Sequence, residues 1–445
     1  MRVLRAILCF ALVLPALAHA AESRDMALAG FHDLQGRGAY QPVIHPQGDR
    51  WIAYVGLHAG SALNPLTGQN EANGTLLIDV TDPAKPRTLH HIPGPSGGEA
   101  QMVRVCAGKS LPRAARDRHY LLRSRGHDAH EVWDVTLPGP SQRVAVVADN
   151  LHGTHKSWWE CDTGIAYLVS GVPGWRTSRM TQIFDLSDPR QPRFIRNYGL
   201  EGQQPGASGR VPTGLHGAIS TGPAGNRMYF GHGTSSGGIL QIADREKLLK
   251  GAAADLRSPQ VGRYDLDPSY GAHTAFPLTA MEVTSADGKK TKRDFVAVTN
   301  EALADGCVGA QQKVWFIDVT EEAKPKVAST WALDAKSGDY CSRPGRIGAH
   351  SSSESFTPIY YRRILFIAHF NAGVRALDIR DPYRPREIAH YVPEGSGRAV
   401  TTNNVEVDDR GYIYIVDRHG LGLHVLRLTG AARQIARLPA GGGDE

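Results

Sequence analysis

One phrase recurs along this chain and restricts the folds open to it. Its copies are Ile78-Asp79-Val80-Thr81-Asp82-Pro83-Ala84-Lys85-Pro86, Phe184-Asp185-Leu186-Ser187-Asp188-Pro189-Arg190-Gln191-Pro192 and Leu377-Asp378-Ile379-Arg380-Asp381-Pro382-Tyr383-Arg384-Pro385. A fourth, Ile317–Pro325, has lost its first proline. Each reads as an apolar strand, a turn and a second strand. The Asp carboxylate can accept from amides two residues ahead, and Pro presets φ for the turn. Weaker copies surround Asp134, Asp244 and Arg427, so the anchors recur every 49 to 74 residues. That period suits a four-stranded blade with long loops.

Two further strands fit before each anchor, as at Ser157–Cys161 and Ile165–Ser170 or at Ser351–Phe356 and Ile364–Ala368. A fourth fits after it, as at Arg193–Tyr198 and Glu387–Tyr391. The expected fold is all-β: a seven-bladed β-propeller of four-stranded blades. The last repeat lacks a fourth strand, and Ala27–Leu34 can supply it and close the ring. Closure matters because an open ring leaves strand edges unpaired. A pair of β-sandwiches gives no reason for the even recurrence. Abundant Gly (49) and Pro (27) agree with many short strands and tight turns. The charged stretch Ser285–Arg293 reads as an exposed hairpin in the longest repeat.

Residues 1–20 read as a secretory signal peptide. Arg2 and Arg5 precede an apolar run to Ala18, and Ala18-His19-Ala20 suits cleavage. The run is shorter than the ~20 residues that span a bilayer. The expected arrangement is signal 1–20, propeller 21–433 and tail 434–445, in a periplasmic or secreted protein with no membrane span. The net charge of +6 is scattered, without the basic stripe that nucleic acid requires. Past the signal, four cysteines remain. Cys106 and Cys161 take matching positions in successive repeats, and Cys307 and Cys341 share the opposite rim. The expected disulfides are Cys106–Cys161 and Cys307–Cys341.

The histidines follow the same register. His155, His216, His273 and His350 open the first strands of four consecutive repeats. In a propeller that strand lies nearest the axis. Loops between second and third strands carry His58, His127, His232, His369 and His419 to the same rim, where they would form a channel-mouth pocket. Neutral imidazole is the commonest ligand for Zn, Cu, Fe and Ni, and a thiolate-free histidine set suits copper or iron. Copper heads these expectations, with iron or zinc as alternatives. Glu160, Glu354 and Glu406 are candidates to orient ligands, and the first two also to relay protons. Structural histidines copied with the repeat are the plainer explanation of the pattern. Gln41, Gln101 and Asn404 stand where the other repeats lack a histidine. Trp175 could overhang the mouth.

The Asp-Val-Thr/Ser-Asp-Pro-x-x-Pro phrase resembles the LVIVD repeat of exported bacterial β-propellers. The histidine-bearing strands make the chain more distantly similar to the selenium-binding protein and methanethiol oxidase group. That resemblance implies a histidine-bound copper at the channel, with His155, His216, His273 and His350 as ligands. A departure is that no cysteine lies between the signal and Cys106 to match that group's selenium-associated cysteine. The expected function is a copper-dependent oxidoreductase acting on a small molecule. The alternatives are a non-catalytic scaffold docking a protein or surface polymer on the mouth face, and a metal-dependent hydrolase.

Overall fold

A computed structural model describes residues 21–137, 139–284, 288–336, 338–395 and 397–438. The expected signal peptide, the tip of the 285–293 hairpin and the last residues of the tail fall outside them. The fold is all-β and β-propeller-like. Five four-stranded antiparallel sheets follow one another along the chain. The first pairs Ala39–Gln47, Arg50–Leu57, Thr75–Asp79 and Arg87–Ile92 in order. The next four repeat that meander from Val103, Ser157, Leu215 and Thr274. Ser61–Asn64 and Gln69–Ala72 form a separate hairpin, and the other strands form a nine-stranded sheet. It consists of two meanders, from Ile347 and from Thr402, joined by one residue pair, Phe370 with Thr402.

The first strands are neighbours in cyclic order. Ala39–Gln47 touches Val103–Ala107, and contact passes on through Ser157–Trp159, Leu215–Ser220, Thr274–Thr284, Ile347–Ser352 and Thr402–Val407, which returns to Ala39–Gln47. Apolar side chains fill the wedges between consecutive sheets. Ile52, Tyr54 and Leu77 of the first meet Val103, Val105 and Leu121 of the second. The chain's ends meet as expected: Met26–His32 pairs with Leu423–Leu428. In addition, Glu22–Arg24 pairs with Arg386–Val392. The helix Gly430–Ala436 runs through the expected tail boundary at 433/434 and buries Ala432 and Ala436 in the core.

The repeated phrase forms its turn through its aspartates. Asp79, Asp185, Asp318 and Asp378 each accept from the amide two residues on, at 2.8–3.1 Å. Asp82, Asp188 and Asp381 repeat that bond one step later. Asp244 departs from the pattern. It accepts from the Lys247 amide at 2.9 Å and caps the short helix Arg245–Lys250. Both expected disulfides are present, Cys106–Cys161 and Cys307–Cys341. The first ties the second sheet to the segment that follows Ser157–Trp159 in the third.

The expected strands Ser157–Cys161 and Ala27–Leu34 end earlier, at Trp159 and His32, and a third is displaced. The first strand of the sixth repeat is Ile347–Ser352 rather than Ser351–Phe356. His350 therefore lies inside it, as His216 lies inside Leu215–Ser220. His273 immediately precedes its strand, and His155 stands two residues before its own.

Candidate metal centre at the channel mouth

Four consecutive sheets each deliver one imidazole to the same place. His155, His216, His273 and His350 are all buried, at 7% exposure or less. Their rings form a chain, with centroids 4.5 Å apart from His155 to His216, 3.9 Å to His273 and 4.5 Å to His350. Every Nε2 points into one space. The Nε2 atoms of His155 and His216 are 3.0 Å apart. Glu301 Oε2 is 3.7 Å from His216 Nε2 and 4.0 Å from His273 Nε2, and its Oε1 is 3.6 Å from His350 Nε2. The Tyr40 hydroxyl lies 3.4 Å from His155 Nε2 and 3.3 Å from His273 Nε2.

The far sides of two rings are held. His350 Nδ1 donates to the Asn403 carbonyl, which leaves Nε2 as the lone-pair nitrogen. His273 Nδ1 shares a 2.9 Å hydrogen bond with Thr274 Oγ1. Such outer partners orient imidazoles for a metal. His155 Nδ1 and His216 Nδ1 are buried without a partner. Burial, reinforced by Arg179 and Lys156 among other neighbours, pushes the pKa of His155 and His216 well below the ordinary value. Burial and neighbouring cations or imidazoles do the same to His273 and His350. The rings are therefore neutral, as ligands must be. Burial raises Glu301 to about 7 against the pull of Arg346, Arg418 and Arg179.

The donor set fits a transition metal. Bonds of about 2.1 Å in tetrahedral geometry place ligand atoms about 3.4 Å apart. The separations here bracket that value, and His216, His273 and Glu301 offer ligand atoms all within 4.8 Å of one another. Without a shared proton or cation, lone pairs of facing nitrogens at 3.0 Å would repel.

The loop histidines divide. His58 is half-buried beside Tyr40, 5.5 Å between ring centroids, and its Nδ1 is 3.2 Å from Gln101 Nε2. His127 Nε2 sits 2.8 Å from Glu99 Oε2. His419 is 3.2 Å from Thr401 Oγ1 and lies close enough to lower the pKa of His58. These three rim the mouth. His232 instead bonds Gln241 inside its own sheet, and His369 packs edge-on to Trp331, 6.0 Å away. Both lie within second strands, Arg227–His232 and Ile364–Phe370, rather than on the loops that follow, and both rings are buried. Trp175 likewise packs between the third and fourth sheets.

The carboxylates named from sequence lie elsewhere. Glu160 is clamped by Arg245 at 2.6 and 2.8 Å and by Tyr167 at 3.1 Å, tying the third sheet to the fourth. Glu354 is buried in ion pairs with Lys156 and Arg104, below the histidines. Burial works to raise its pKa, but those two cations hold it below the ordinary value. Glu406 lies beside it, pushed up to about 7 by burial and by the Glu354 charge.

Sequence reading missed Tyr40, Glu301 and Lys156. Glu301 had a signal: it follows the second strand of its repeat, where other repeats carry a loop histidine. Lys156 and Tyr40 had none beyond adjacency to His155 and Gln41.

The fold and site together define a β-propeller-like protein with a buried histidine–glutamate cluster on its axis. No family model matches the chain, and no curated protein matches it. Raptor of Chaetomium thermophilum superposes with a TM-score of 0.56 at 10% identity, over 93% of this chain. The chain spans 29% of that protein's length, so the likeness shows the fold alone. Sqt1 of Chaetomium thermophilum matches at a TM-score of 0.47 and 11% identity, over 88% of this chain and 85% of that one. Among the described residues no helix is long and apolar enough to cross a membrane. The two disulfides fit an oxidising compartment.

Proposed function

We propose that this chain is an exported, seven-bladed, metal-dependent oxidoreductase acting on a small molecule at the channel mouth. The observation that carries it is the buried group of His216, His273 and Glu301, whose ligand atoms all lie within 4.8 Å of one another, flanked by His155 and His350 from two further stretches of chain. The blade count is supported by the cyclic order of the seven first strands and by the single pair joining the two halves of the nine-stranded sheet. Export is supported by the disulfides and by the composition of residues 1–20.

Copper is the first choice, because the donors are imidazoles without thiolate, and iron follows. The metal would supply redox change and Lewis acidity. His155, His216, His273 and His350 would hold it. Glu301 would complete the set or take a proton beside it, and the Tyr40 hydroxyl can donate to a bound group. The walls exclude bulk water from all but the mouth side.

The test is elemental analysis of exported protein, followed by a redox titration of the loaded form. About one copper or iron per chain, with a reversible spectral change, supports the reading. Zinc alone and no redox change moves the protein to the hydrolase reading. No stoichiometric metal, before or after titration, leaves only a binding propeller.

A further inference from the structure

Above the histidine cluster lies a cavity of about 230 Å³, open to solvent. Its wall carries three guanidiniums, Arg179, Arg346 and Arg418, and one carboxylate, Glu301. They come from three different stretches of chain, each just outside a strand end. The positive charge there is only partly matched. Glu301 pairs with Arg346 at 3.5 Å. The nearby Glu99 pairs with His127 at 2.8 Å. Arg179 Nε donates to the Gly153 carbonyl at 3.2 Å, and Arg418 Nη1 donates to Asn403 Oδ1 at 3.3 Å. Each guanidinium has five N–H groups, so most donors remain for a ligand.

Two of the cations act on one another, and the third acts on the cluster. Burial, then Arg346, lowers the pKa of Arg418. After burial, Arg179 is the next cause lowering His155 and His216. Like charges held together at a half-open cavity are a standing attraction for an anion, and guanidinium forks match the geometry of planar oxyanions.

We infer that Arg179, Arg346 and Arg418 form an oxyanion-binding subsite, so that the substrate is a small anion whose charged group docks at the mouth while its remainder reaches the histidines. The inference deepens the reading of the cluster as the reactive centre and rests on it for the word substrate. Carboxylate and phosphate share the required chemistry, and the cavity admits only a small molecule of either kind.

Calorimetric titration of metal-free protein with acetate and, separately, inorganic phosphate at low ionic strength tests it. The expected result is saturable binding of at least one anion, with the tighter one naming the class. Arg346→Gln combined with Arg418→Gln should weaken that binding at least about tenfold, the loss of one charge-assisted hydrogen bond or more. Arg179→Gln alone should weaken it in the same direction. These variants should still take up about one metal per chain, because the imidazoles are untouched. His216→Ala with His350→Ala should lose metal yet retain the anion, which separates failure of this site from failure of the metal reading. No saturable binding of either anion to wild-type protein, or binding unaltered by the arginine substitutions, would overturn the inference.

Discussion

Two polar layers lie along the axis, one above the other, and they differ in what they leave open. The upper layer is four neutral imidazoles with Glu301 and Tyr40. The lower layer is ionic: Lys156 and Arg104 on Glu354, with Glu406 alongside. In the lower layer, partners meet each other. Lys156 bonds Glu354 and also Thr274 Oγ1 at 3.1 Å, and Arg104 Nε bonds the Ser157 carbonyl at 2.8 Å. In the upper layer the Nε2 atoms crowd one another and the Tyr40 hydroxyl around a common point instead of meeting oppositely charged partners, and His155 Nδ1 and His216 Nδ1 have none. A buried polar set closed on itself serves the fold, whereas one aimed at a common point awaits a ligand. The same first strands build both. His155 and Lys156 are adjacent, and Glu354 lies just beyond the strand that carries His350.

The comparison breaks most easily at the ligands. His216→Ala with His350→Ala should lower metal affinity by more than about 100-fold, beyond what loss of an orienting partner alone produces. Equilibrium dialysis against copper measures it, and unchanged uptake would merge the two layers into one structural set. The lower layer should behave oppositely. Glu354→Ala strands the buried Lys156 and the half-buried Arg104 and should cost about 3–5 kcal/mol of stability, read by denaturant unfolding, with metal stoichiometry preserved in the folded fraction.

Titration sharpens the contrast. Burial lowers His130 and His232 to about 4 and His369 to about 3. Their contribution to stability is full above the unfolded value near 6.5 and is lost as pH falls through those lower values. Thermal unfolding midpoints should therefore fall steadily between pH 7 and pH 4. Glu406 runs the other way. Its folded pKa is raised to about 7, so its favourable contribution is full below the unfolded value and is lost as pH rises through about 7. Glu406→Gln should stabilise the protein at pH 8 and change little at pH 4.5. An equal shift at both pH values would contradict a raised Glu406. The smallest effect belongs to Tyr40→Phe, which removes the hydroxyl from two Nε2 atoms. It should retain metal while shifting the spectrum of the loaded protein.

Much of this was legible in the chain because repetition exposes geometry. The Asp-x-x-Asp-Pro phrase set the turns, and those turns set the register that aligned the four histidines and paired both disulfides. Histidine position relative to the anchor carried the axial cluster because a first strand has one end at the mouth. The same logic failed for His232 and His369. Their second strands extend far enough to include them, so strand geometry fixes both side chains against Gln241 and Trp331 instead of leaving them on the mouth loops. It failed for Glu160, which lies just past the three-residue strand Ser157–Trp159 and is taken by Arg245 of the helix after the fourth sheet's third strand. Glu301, Tyr40 and the mouth arginines stayed hidden because each occurs once. Only three-dimensional convergence, not periodicity, identifies them.

The most direct measurement is titration of metal-free protein with Cu(II), followed by electron paramagnetic resonance. The account predicts saturation at about one copper per chain, with coupling to several imidazole nitrogens that disappears in the His216→Ala/His350→Ala variant. Non-saturating uptake, or an identical spectrum from that variant, would contradict it.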